Sequence, residues 1–125
     1  MASSFDISLS GINAASKRLE VSANNIANQF STKTLKNGEA SDKPYTPQRV
    51  DQVSLSTGGV QAQANNVNPP TVTAPDAQGN PTQQPNVDQA EQLVQQNIAS
   101  YDFKANLKSI QVQSDIMKSL LDIKS

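Results

Sequence analysis

Residues 5–30 read FDISLSGINAASKRLEVSANNIANQF, and apolar side chains recur along this stretch at alternating intervals of four and three. Phe5, Leu9, Ile12, Ser16, Leu19, Ala23, Ile26 and Phe30 make up the line, with Ser16 its one polar member. Such spacing predicts a helix with a narrow apolar seam of the coiled-coil kind. At ~1.5 Å per residue the helix is a rod of roughly 40 Å. Ser3 or Ser4 can cap it, and Asp6 falls in the first turn, where the helix dipole favours negative charge. One helix of an ordinary bundle would show the same stripe.

Outward from this stretch, punctuation divides the chain. All seven prolines lie between residues 44 and 85, and four of the five glycines between 38 and 79. The flanks carry no proline and one glycine, Gly11, which leaves both free to form long helices. In the C-terminal flank, Asp88 with Glu91 three residues on resembles a capping box, and Pro85 stops a helix from extending upstream. One apolar stripe then runs Val94, Ile98, Tyr101, Ala105, Val112, Ile116, Leu120, Ile123. A second runs Phe103, Leu107, Ile110, Met117, Leu121, much of it on the opposite side. A helix apolar on two faces must bury both. The N-terminal helix can cover one; the other needs another molecule, or stays as an exposed patch or a tolerated scatter of apolar side chains.

The middle is rich in Asn, Gln, Ser, Thr and Pro. Alternating runs at 49–55 and 60–64, joined by Ser56-Thr57-Gly58-Gly59, predict a hairpin. Residues 65–85 read as an extended or mobile loop. The expected fold is therefore mainly α, in three parts of one structural unit. Two long terminal helices (1–30 and 86–125) form an antiparallel coiled-coil pair, with a small irregular β-hairpin and loop insert (31–85) between them.

Composition narrows the function. Ten basic residues face eleven acidic ones, for a net charge of −1, without a basic run that would suit nucleic acid or an anionic membrane. There is no Cys and no His, which removes disulfides, thiolate nucleophiles, the usual general base and the commonest metal ligand. No cofactor or metal is expected. Asp115 and Asp122 share a helical side with Lys118, an ordinary solvated charge stripe rather than a catalytic pair. Asp76 with Gly79-Asn80 lacks the acidic positions of a calcium loop. No apolar run reaches the ~20 residues that cross a bilayer, and the N-terminus lacks the pattern of a cleaved secretory signal. Asn24, Asn25 and Asn28 are three amides near a helix end. They suit a specified terminus or a subunit contact, where amides bond neighbouring backbone or each other.

Ser10-Gly11-Ile12-Asn13-Ala14-Ala15-Ser16-Lys17-Arg18-Leu19-Glu20-Val21-Ser22-Ala23-Asn24-Asn25-Ile26-Ala27-Asn28 resembles the N-terminal signature of the bacterial flagellar rod, hook and filament-junction family. Pro85-Asn86-Val87-Asp88-Gln89-Ala90-Glu91, with Ala99-Ser100-Tyr101 and Ala105-Asn106, resembles the terminal helix of that family. Lys43-Pro44-Tyr45, Gln48-Arg49-Val50 and Gly58-Gly59-Val60 are most similar to its proximal rod members. Two departures stand out. Gln29-Phe30-Ser31-Thr32 replaces the frequent Thr-Pro-Gly-Tyr, and Asp102-Phe103-Lys104 follows Tyr101.

The resemblance implies a structural, non-enzymatic subunit of the periplasm-spanning rod in the flagellar basal body. Such a subunit is exported through the flagellar type III apparatus without a cleaved signal. Its partners would be copies of itself, other rod proteins and a hook-basal-body adaptor, with no nucleic acid, small-molecule substrate or membrane insertion. The residues expected at subunit interfaces are Leu9, Ile12, Leu19, Ile26, Asn24, Asn25, Asn28, Val94, Ile98, Tyr101, Leu107, Ile110, Met117 and Leu120. A soluble helical-hairpin adaptor or secretion chaperone, binding a partner helix in a groove, is the alternative reading.

Overall fold

A computed structural model describes residues 3–36, 39–40 and 42–124. Helix α1 (Ser4–Asn28) is followed by strands β1 (Lys33–Lys36), β2 (Glu39–Ala40), β3 (Gln48–Ser54), β4 (Val60–Asn66), β5 (Thr71–Pro75) and β6 (Pro81–Pro85), and then by helix α2 (Gln89–Lys124). The strands form two antiparallel sheets, a four-stranded one in the order β2-β1-β6-β5 and the β3–β4 hairpin.

Both helices begin where their caps dictate. Ser3 Oγ accepts from Asp6 N–H at 3.2 Å, while Asp6 Oδ2 accepts from Ser3 N–H at 3.1 Å and from its hydroxyl at 2.7 Å. The Ser3 hydroxyl, then its N–H, hold the Asp6 carboxyl below its ordinary pKa. At α2, Asp88 Oδ1 accepts from Glu91 N–H at 3.1 Å.

The expected coiled-coil pair with a small irregular insert is not what forms. Six strands in two sheets occupy the interval between the helices. The predicted hairpin is present as β3–β4, but the predicted loop at 65–85 is largely a second hairpin, β5–β6. Its prolines misled the reading because of where they fall. Asp76 N–H donates to Asn80 O and Asn86 N–H to Pro70 O, each at 2.9 Å, so even-numbered residues carry the β5–β6 ladder bonds. Pro75, Pro81 and Pro85 occupy odd positions, where the absent N–H removes no bond between these two strands. On the far side of β6, β1 pairs only at Gln83 and Thr82, stopping short of Pro81 and Pro85.

The helices lie side by side in opposite directions, with Asn25 meeting Gln92, Arg18 meeting Asp102 and Ser8 meeting Ser109. Here too the outcome differs from the expected apolar seam. The line of α1 that faces α2 is Ser8, Gly11, Ala15, Arg18, Ser22 and Asn25, again spaced three and four but one residue ahead of the apolar line. Its counterpart on α2 is Gln92, Gln95, Ala99, Asp102, Asn106, Ser109 and Gln113. Small residues let the helices approach closely. A Cβ added to Gly11 would sit 2.5 Å from the Asn106 side chain. Among the described residues the buried apolar core is Ala14, Ala15, Val21 and Ala99, and the largest fully buried side chains are Asn25, Pro47 and Ser22.

Candidate assembly surface

Polar side chains fasten the interior. Asn25, fully buried, uses every hydrogen-bonding position of its amide. Nδ2 donates to Gln48 O at 2.6 Å and to Gln92 Oε1 at 3.0 Å. Oδ1 accepts from Gln48 N–H and from the Tyr45 hydroxyl, each at 3.0 Å. Burial pushes the Tyr45 phenol above its ordinary pKa. Two turns earlier, Arg18 donates from Nη1 to Asp102 Oδ2 at 3.0 Å and from Nη2 to Gln52 Oε1 at 2.7 Å. Ser22 Oγ reaches Gln92 O at 2.7 Å, and Ser8 Oγ meets Ser109 Oγ at 3.1 Å.

The β3–β4 hairpin crosses α1 on one face of the helix pair. Asn25 holds its β3 end; at the other end Ser10 Oγ accepts from Val60 N–H at 3.1 Å. Gly59, at φ +90°, passes over Ser10 so closely that a Cβ would meet its hydroxyl oxygen at 2.5 Å. The separation fits. Fifteen residues of helix and seven of strand both span roughly 22 Å.

On the opposite face, among the described residues, apolar side chains are left exposed or half-buried. In an antiparallel pair, the positions one residue after the seam point to the same side on both helices. On α1 these are Leu9, Ile12, Ser16, Leu19, Ala23 and Ile26; on α2 they include Phe103, Leu107, Ile110 and Met117. Leu9 and Leu107 are each 42% exposed, and Ile12, Leu19, Ile26, Phe103 and Ile110 are half-buried. Positions one residue before the α2 seam carry Val94, Ile98, Tyr101 and Val112, all exposed, with Tyr101 at 77%. The expectation that α1 would cover one α2 stripe is thus corrected: α1 covers the polar line between them.

Continued past Gln113, the α2 seam changes character. Ile116, Leu120 and Ile123 extend it, with Leu120 61% exposed. α1 begins one turn before Ser8, so α2 residues 114–124 overhang it by about 16 Å. The seam is polar where α1 lies on it and apolar where α1 has ended.

Of the predicted interface residues, Leu9, Ile12, Leu19 and Ile26 share a face with Leu107, Ile110 and Met117, while Leu120 lies on the overhang. Val94, Ile98 and Tyr101 lie on the hairpin side. The three amides separate: Asn25 is the buried clasp, Asn24 is exposed, and Asn28 donates Nδ2 to Asn24 O at 2.9 Å. The reading from residue types missed Ser8, Arg18, Ser22, Gln92 and Asn106. Their signal was there, as a second heptad line of small and polar residues beside the apolar one.

No group of three or more candidate metal ligands occurs among the described residues, and no described helix is long and apolar enough to cross a membrane. Asp115 pairs with Lys118 at 4.0 Å on an exposed surface. The site is a set of faces.

Residues 5–33 match the family model for flagella basal body rod proteins. No curated protein matches the chain. The matched segment contains α1 entire from Phe5 onward, with both its polar seam and its apolar line, and it supports a structural role in the flagellar rod.

Proposed function

We propose that the chain is a structural subunit of the flagellar basal-body rod, of the proximal-rod FlgC type. It polymerises with copies of itself and other rod proteins into the drive shaft that carries motor torque toward the hook. It reaches its place through the flagellar type III export apparatus and contacts a hook-basal-body adaptor at one end. The observation that carries this reading is the inverted polarity of the helix pair. Small and polar side chains meet inside, while Leu9, Leu107, Val94, Ile116 and Leu120 stand outside. A body so lean in buried apolar surface gains its stability from association. Neighbours that bind head to tail without closing a ring generate helical polymers, and dry, interlocked faces transmit strain.

The test is complementation of a strain lacking its proximal rod subunit, paired with size-exclusion of the purified chain. Restored swimming and recovery of the chain in isolated basal bodies support the reading. Failure of both, with a closed dimer in solution, favours the helical adaptor instead.

A further inference from the structure

The two ends of the helix pair are unequal. Asn25 bonds Gln92; α1 runs three residues past Asn25 and α2 begins three before Gln92, so at this end the helices finish level. At the other end Ser8 meets Ser109. There α1 begins four residues before Ser8, whereas α2 continues fifteen past Ser109. The difference is the overhang, and a slot of the same length, about 16 Å, lies in line with α1.

The overhang is made to receive a helix in that slot. Ile116, Leu120 and Ile123 continue the line on which α1 lies, and all three are exposed. Asp115, Lys118 and Asp122 project from other sides of α2, so they do not interrupt this line.

Three observations say which helix fits. The level end of another copy has no uncovered seam to offer, whereas another overhang has one of the same length. Ile116, Leu120 and Ile123, spaced four and then three, interleave with their own reversed copy about a two-fold axis. A reversed overhang also runs in the direction of α1, so its last turn approaches the first turn of α1. Those two turns carry opposite charges, Lys124 on one and Asp6 on the other.

We propose that the overhang of α2 pairs antiparallel with the overhang of a second copy of this chain, each lying where the other's α1 has ended. The contact is short, so the pair is weak and separates on dilution. It closes on itself, unlike the head-to-tail contacts of a polymer, and does not rest on the rod reading.

The test is sedimentation equilibrium of the full chain up to about 1 mM, with isotope-filtered NOEs on an equal mixture of labelled and unlabelled chain. The chain should associate across this range, and NOEs between copies should join the methyl groups of Ile116, Leu120 and Ile123. Leu120→Asp sets two carboxylates near the two-fold axis and should abolish these NOEs. Its urea midpoint at low concentration should match that of the native chain, because α1 does not reach this residue. A native chain that stays monomeric at the highest concentration overturns the proposal. So does association whose inter-copy NOEs lie on Leu9 and Leu107 instead, or overhang NOEs that survive Leu120→Asp.

Discussion

The carboxamide of Asn25 bonds both the N–H and the C=O of Gln48, at 3.0 and 2.6 Å, so that one helical side chain stands in for a strand. The same amide reaches α2 through Gln92 and the chain before β3 through Tyr45. Three segments, α1, the stretch 45–48 and α2, therefore meet on one side chain.

Replacing it should loosen all of them together. Asn25→Leu keeps the volume but leaves Gln48 N–H and C=O without partners, and should destabilise the chain by about 2–4 kcal/mol. Asn25→Asp turns a carboxylate toward two carbonyl oxygens and should do more damage at pH 7 than in mild acid. Urea unfolding of the isolated chain at both pH values reads each effect.

Gly11 carries a different constraint. Gly11→Ala would push against the Asn106 amide, displacing the bond from its Nδ2 to Asp102 O, now 2.7 Å. A loss of about 1–3 kcal/mol is expected, and pairing it with Asn106→Ala should recover part of that loss. Thermal melting of the two single variants and the double variant gives the coupling.

The exposed apolar face should behave in the opposite way. Leu19→Asp and Leu107→Asp lie on one side of the helix pair and outside its seam, so each should alter the unfolding free energy by only about 1 kcal/mol. Swimming and incorporation into basal bodies should nevertheless be lost, since assembly would bury the charge. Normal motility with both changes would remove this face from the mechanism.

The overhang makes a parallel case. A chain ending at Gln113 retains every α1–α2 hydrogen bond described above. Its melting midpoint should fall by no more than a few degrees, yet it should fail to enter basal bodies. Immunoblotting of purified basal bodies checks it.

Tyr45 gives the clasp a pH limit. Its phenol titrates above the ordinary value because burial disfavours the anion. The stability it contributes is therefore complete below the unfolded tyrosine pKa, near 10, and is lost as pH rises through the folded value. Urea midpoints should fall on moving from pH 9 to pH 11, and Tyr45→Phe should flatten that fall.

How much of this was legible beforehand follows from the side chains involved. The helices announced themselves through periodicity and through Ser3 and Asp88, whose short oxygens have few other uses at those positions. The β3–β4 hairpin was visible because Val50, Val60, Ala62 and Ala64 alternate with polar neighbours around a double glycine. The β5–β6 hairpin was hidden because proline is read as an interruption, and only the register shows that Pro75, Pro81 and Pro85 face away from their shared ladder. The helix seam was hidden for another reason. Hydropathy sees Leu9 and Leu19, whereas the contact was made by Ser8, Gly11, Arg18 and Ser22, which matter through size and hydrogen bonding. Asn25 was noticed as an amide near a helix end; that it would grip a strand depended on where the hairpin came to rest.

On α1 the sociable line and the private line are neighbours, one residue and about 100° apart. Turned by that angle, the same amino acids would make a self-sufficient hairpin with a greasy middle and nothing to offer its surroundings. If the chain assembles as proposed, what makes this helix a building block is its azimuth more than its composition. Random substitution would damage that property less readily than a single inserted or deleted residue between Gly11 and Arg18, which would twist one half of the rod against the other.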